Sequence, residues 1–173
     1  MSNRKFMLSL WKECKNVFQS SSDGQLKALL KNIIEIVKKN YDVFQEKADL
    51  EFLDYIVQMN VNEYLLGTNG DNFEIRLKAY LQRDDDISIE EIWHILSQLI
   101  WDLTIPATDK ICPFCRCDNL VLLVDKEKKH MYQSCENCFW ISEDGIQITR
   151  PNSLFPASKD MIKYKDITSI VQN

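Results

Sequence analysis

The residues best placed to do chemistry are two pairs of cysteines, Cys112-Pro-Phe-Cys115 and Cys135-Glu-Asn-Cys138, with 19 residues between the pairs. Each CxxC forms a tight turn that aims two sulfurs at one point. A hairpin between the pairs would bring the two turns together. Four thiolates then satisfy a tetrahedral Zn²⁺ at ~2.3 Å, and the spacing is that of a four-cysteine zinc site. Cys117 follows Cys115 by two residues and competes as a ligand. CPxC is the tighter match to a knuckle, so Cys112 and Cys115 are preferred, and Cys117 stands beside the site or as a free thiol. Sulfur at all four positions leaves no place for water or substrate, which makes the expected zinc structural. The HxE sequence of the zinc deaminases is missing as well.

The elements that must position these sulfurs are legible as strands. Leu120 to Val124 is a compact, branched apolar run, Asp125 to Lys129 is a polar turn, and Met131-Tyr132-Gln133 returns as a second strand. A second hairpin runs from Phe139-Trp140-Ile141 through Glu143-Asp144-Gly145 to Ile146-Gln147-Ile148. Both knuckles and the strands between them, about Ile111 to Arg150, resemble the zinc ribbon superfamily. That resemblance implies an antiparallel β ribbon and one structural Zn²⁺, but no particular task.

The first hundred residues carry helical periodicity instead. Met7, Leu10, Trp11, Cys14, Val17 and Phe18 recur every three or four residues, and so do Leu26, Leu29, Leu30, Ile33, Val37 and Tyr41. Ser22 with Gln25 offers a capping box for the second of these helices. Asp49 is an N-cap for a third that includes Leu50, Leu53, Ile56 and Val57. Phe73, Leu77, Tyr80 and Leu81 mark a further helix. The strongest start signal is Ile87-Ser88-Ile89-Glu90-Glu91-Ile92, where Ser88 and Glu91 form a capping box and Ile87 and Ile92 a hydrophobic staple. The fold expected is α+β: a helical domain of five or six helices over 1–105, a zinc ribbon over 106–151, and a partly helical tail over 152–173.

Charge and motif content narrow the function. Residues 1–40 hold eight Lys and Arg against three Asp and Glu, residues 41–105 hold four against fourteen, and residues 106–173 hold nine of each. The acidic middle attracts a basic partner and repels phosphate backbones. Asp84, Asp85, Asp86, Asp42 and Glu46 are the candidate partner-binding carboxylates. The expectation is a non-enzymatic protein-binding protein, similar in size and charge to bacterial immunity and antitoxin proteins that neutralise a basic toxin. The alternative is a nucleic-acid-binding regulator that uses Arg4, Lys5, Lys12, Lys15, Lys27, Lys31 and Lys38, with Phe139 and Trp140 either stacking on bases or supporting the ribbon core. No GxSxG, Walker loop, dinucleotide fingerprint or HExxH occurs, so His94, His130 and Cys14 are read as ordinary packing or polar residues. The N-terminal apolar run ends after six residues and no stretch reaches the ~18 that a membrane span needs. A cytoplasmic protein without membrane contact is expected.

Overall fold

A computed structural model describes residues 3–20, 25–68, 70–83 and 86–164. Helices fill the first part of the chain: α1 (Asn3–Ser20), α2 (Leu26–Lys39), α3 (Tyr41–Phe44), α4 (Leu50–Gln58), α5 (Gly70–Leu81) and α6 (Ile89–Thr104). An antiparallel sheet follows, built from β1 (Ala107–Ile111), β2 (Asn119–Asp125), β3 (Met131–Ser134), β4 (Ile141–Glu143), β5 (Ile146–Gln147) and β6 (Leu154–Pro156), with α7 (Lys159–Tyr164) after it. The fold is α+β, as the change from helical to strand periodicity near Pro106 predicts. None of the described helices is long and apolar enough to cross a membrane.

The chain divides into two compact units. One combines Met1–Val61 with Asp71–Leu103, and the other combines Asn62–Gly70 with Thr104–Asn173. In the helical unit the start signals act as their chemistry requires. Ser88 Oγ accepts from the Glu91 N–H at 3.2 Å while the Glu91 carboxylate accepts from the Ser88 N–H at 3.0 Å. Two otherwise unsatisfied amides are thereby closed, and Ile87 and Ile92 are buried beside them. Asp49 caps α4 by accepting from the amides of Glu51 and Phe52. Ser22, the expected cap of α2, lies outside the described residues; Gln25 occupies the N-cap position there without a side-chain hydrogen bond.

The α2 stripe is broader than a simple face, since Ile34 and Ile36 are buried along with Leu29, Leu30, Ile33 and Val37. This suits a helix that packs against both α1 and α4. Trp11, Cys14 and Phe18 of α1 are fully buried, and rings of Phe44, Phe52, Trp93 and Trp101 meet at 5.5–6.5 Å between centroids. Burial pushes the Cys14 thiol up to about 12, which keeps it protonated and inert. Asp102 of α6 is wholly buried and takes the Arg76 guanidinium from α5 at 2.8 and 2.9 Å, with Gln98 donating at 3.1 Å. A buried carboxylate is tolerable only with such partners.

In the sheet unit the order is β1-β2-β3-β4-β5, with β6 also on β2. Along one edge β2 meets β1 (Ala107↔Val121) and then β6 (Val124↔Phe155); along the other it meets β3 (Leu123↔Tyr132). Leu120 through Val124 are all buried, so β2 is a central strand covered on both faces, and its unbroken apolar run follows from that. Leu154–Pro156, in the segment expected as a tail, supplies the third neighbour of β2. It was hard to foresee because two prolines punctuate it. β1 carries a bulge: Ile111 lies four positions after Ala107 while their partners Asn119 and Val121 are two positions apart, and Thr108 Oγ1 donates to Leu120 O at 2.9 Å across it. The 62–70 segment is stitched to this unit by the Thr68 hydroxyl, which donates to Ile105 O at 2.9 Å and accepts from the Ala107 amide at 3.0 Å.

Candidate metal centre

The first knuckle leaves the end of β1 and returns into β2; the second joins β3 to β4. Their backbone hydrogen bonds match. Arg116 N–H donates to Cys112 O at 3.1 Å, and Phe139 N–H donates to Cys135 O at 3.0 Å. Cys112 N–H is held by Asp118 O and Cys135 N–H by Trp140 O, so the leading cysteine of each pair is anchored to its own turn. Each turn is completed by a left-handed residue directly after its second cysteine: Arg116 at φ 57 and Phe139 at φ 59. The register of β2 and β3, with Val121 opposite Ser134, then brings the two turns side by side.

The result is one cluster of four sulfurs. Cys112 Sγ lies 3.6 Å from Cys138 Sγ, Cys115 Sγ lies 3.6 Å from Cys135 Sγ, and all four ligand atoms fall within 4.8 Å of one another. A tetrahedral ion bonded at ~2.3 Å needs sulfur–sulfur edges of about 3.8 Å, so these residues fit a single ion. Cys112, Cys135 and Leu120 are buried together, with Trp140 packed against them. The cluster therefore belongs to the core of its end of the sheet. Among the described residues this is the one His, Cys, Asp or Glu group suited to a metal.

The electrostatics of the bare thiols point the same way. The Cys117 amide, and after it the neighbouring thiols, bring Cys115 down to about 6 against the opposing effect of burial. Burial pushes Cys135 up to about 12 and also raises Cys138, although the amides of Asn137, Cys138 and Trp140 partly offset this. Four thiols this close cannot all ionise without a cation, and thiolate ligation supplies one. Cys117 falls outside the group. Its exposed Sγ donates to Cys115 O at 3.1 Å, and the charge of Cys115 raises its pKa.

The remaining candidates are placed separately. Trp140 is half-buried against the cysteines, whereas Phe139 points outward with the Arg150 guanidinium 5.8 Å from its ring centre. Asp42 and Glu46 are exposed in and just after α3, and Asp86 is exposed with Arg4 at 3.7 Å. Asp84 and Asp85 lie outside the described residues. His94 is exposed on α6; His130 meets the Glu143 carboxylate at 2.6 Å. Ile111 and Phe114, each next to a knuckle cysteine, are exposed, and hydrophobic type alone does not announce that. Compared with protein-family models, curated proteins and solved structures, the chain matches none of them.

Proposed function

We propose that the cluster holds one structural Zn²⁺ and that the protein is a non-enzymatic binding protein whose acidic helical unit docks a basic protein partner. Zinc is the choice among metals because four sulfurs in a closed tetrahedron suit Zn²⁺ or iron–sulfur chemistry, and a single mononuclear site with ordinary knuckles favours zinc. Cys112, Cys115, Cys135 and Cys138 would hold it. The ion would supply a cross-link between the two hairpins rather than a reactive centre, since no coordination position is left for water.

One observation carries the partner reading. Asp42, Glu46, Asp49, Glu51 and Asp54 are all exposed along α3 and the start of α4. Lys47 is the sole cation in that stretch of sequence and is drawn off to Glu90 at 3.0 Å. Asp49 is occupied as a cap and Asp54 accepts the Tyr41 hydroxyl, which leaves Asp42 and Glu46 as the carboxylates best placed to steer a cationic surface. Immunity and antitoxin proteins that cover basic toxins work by this kind of complementarity. In-cell cross-linking followed by mass spectrometry should identify a basic protein. Asp42→Lys with Glu46→Lys should slow its association about tenfold or more at low salt. A partner without excess positive charge, or unchanged association kinetics, defeats the reading.

A nucleic-acid role is the second reading, favoured by the open ring of Phe139 with Arg150 over it. Equal numbers of acidic and basic residues over 106–173 weaken it, because counterion release needs surplus cations.

A further inference from the structure

Cys117 is the cysteine beside the first knuckle that the converging group of four leaves out. It is exposed, whereas Cys112 and Cys135 are fully buried and Cys115 and Cys138 only partly so. Of the two partly covered ligands, Cys115 has the extra thiol two positions away. The Cys117 amide donates to Cys115 Sγ, and the Cys117 thiol donates to Cys115 O at 3.1 Å. Both donors of Cys117 are therefore turned back on the ligand residue. Arg116 between them is left-handed at φ 57. Such a turn sets the flanking Cα atoms about 5.5 Å apart, inside the roughly 4.4–6.8 Å span over which disulfides form.

An accessible thiolate next to a second thiol is the arrangement that peroxides oxidise selectively. Ligation would keep Cys115 ionised at neutral pH. Its sulfur attacks one oxygen of a hydroperoxide: the S–O bond forms, the O–O bond breaks, and the departing oxygen takes a proton from solvent. The Cys117 sulfur then attacks the Cys115 sulfenic acid. The S–S bond forms, the S–O bond breaks, and hydroxide leaves with the Cys117 proton as water. Two electrons pass from the two sulfurs to the peroxide. Cys135 Sγ, 3.6 Å from Cys115 Sγ, is the competitor, but it is buried and is itself one of the four. Closure onto Cys135 takes two sulfurs from the cluster. Closure onto Cys117 takes one and leaves Cys112, Cys135 and Cys138 in place.

We propose that Cys115 and Cys117 are a peroxide-sensitive thiol pair that withdraws one ligand from the metal centre and returns it on reduction. The inference rests on the zinc reading above. Because Cys112, Cys135 and Leu120 pack together around the cluster, this end of the sheet registers the loss of one ligand while the other three hold it together.

The experiment treats the full zinc-loaded chain with excess hydrogen peroxide, alkylates the remaining thiols and maps the products by trypsin digestion and mass spectrometry. Cleavage after Lys110, Arg116, Lys126, Lys129 and Lys159 puts Cys112 and Cys115 on peptide 111–116, Cys117 on 117–126, and Cys135 and Cys138 on 130–159. The expected product joins 111–116 to 117–126, with fragmentation placing the bond at Cys115. Zinc affinity, read by competition with a chromophoric chelator, should fall about 10²- to 10³-fold and recover with dithiothreitol. Cys117→Ser should bind zinc like the wild type before oxidation. After oxidation this variant should join 111–116 to 130–159, or carry sulfinic acid at Cys115, and should bind zinc more weakly than the oxidised wild type. The inference is overturned if the wild type joins 111–116 to 130–159 instead, or if Cys117 pairs only between chains. It is also overturned if Cys117→Ser loses and regains zinc as the wild type does. Metal analysis before oxidation keeps the two readings apart. A chain that binds no zinc defeats the cofactor and this inference together, whereas a zinc-loaded chain that forms no Cys115–Cys117 bond defeats this inference alone.

Discussion

Replacing Cys138 by serine tests the metal centre most directly. The 3.6 Å separations of Cys112 from Cys138 and of Cys115 from Cys135 are the edge of a regular tetrahedron whose centre would lie about 2.2 Å from each sulfur, close to the ~2.3 Å of a zinc–thiolate bond. Apparent binding energies of structural zinc run to about 10–16 kcal/mol, so one ligand of four carries roughly 3–4 kcal/mol. A hydroxyl in place of Cys138 Sγ should therefore weaken zinc about 10²- to 10³-fold in competition with a chromophoric chelator. Because the cluster is also the local core around Leu120, circular dichroism should show loss of sheet structure when the variant is chelated. Cys117→Ser removes only an exposed hydrogen bond to Cys115 O and should change affinity by no more than ~0.5 kcal/mol. If Cys117→Ser costs as much as Cys138→Ser, the ligand set is wrong. If metal analysis of the wild type finds no zinc, the proposed cofactor is wrong.

Arg76→Met should destabilise the helical unit by about 3–5 kcal/mol, because it leaves the buried Asp102 carboxylate without its guanidinium, and thermal melting should show it. Arg76→Met with Asp102→Leu should recover much of that loss; a double variant no better than the single one contradicts the account. The Glu91 carboxylate is held below its ordinary value of 4.5, chiefly by the Ser88 amide. Its contribution is thus complete above that value and fades as pH falls through the lower folded one. The stability gap between wild type and Glu91→Gln should be constant above about pH 5 and shrink as the pH is lowered below 4.5. Gly145→Ala meets no atom within 4 Å but must hold φ at +82°, so chemical denaturation should register a loss of about 1–2 kcal/mol from backbone strain alone.

Local chemistry explains which elements were legible. The Ser88–Glu91 box, the Asp49 cap and the Asp144-Gly145 hairpin each involve residues a few positions apart, so their hydrogen bonds and backbone angles follow from sequence. Asp144 at φ 47 and Gly145 at φ 82 have the paired left-handed angles that an Asp-Gly hairpin turn requires. The strands β1 and β6 depend on β2, a partner 8–14 positions away for β1 and 29–33 for β6, and their own sequences are short and interrupted. Thr68 is less legible still. Its hydroxyl ties residues 62–70 to the start of the sheet across nearly forty positions, and nothing about an isolated threonine announces that.

The convergence of the four cysteines was legible for a stricter reason. Sulfur ligation imposes distances of a few ångströms on four named atoms, and CxxC spacing is one of the few sequence patterns that meets such a demand locally. Which side of a knuckle faces solvent is not constrained in that way. Phe139 and Trp140 are adjacent and similar in character, yet the left-handed turn at Phe139 directs its ring outward while Trp140 packs on the cysteines. Periodicity in sequence assumes a regular backbone, and the knuckle breaks that assumption at the residue where burial changes. The same turn that makes the cysteines converge therefore sets the exposed ring beside them.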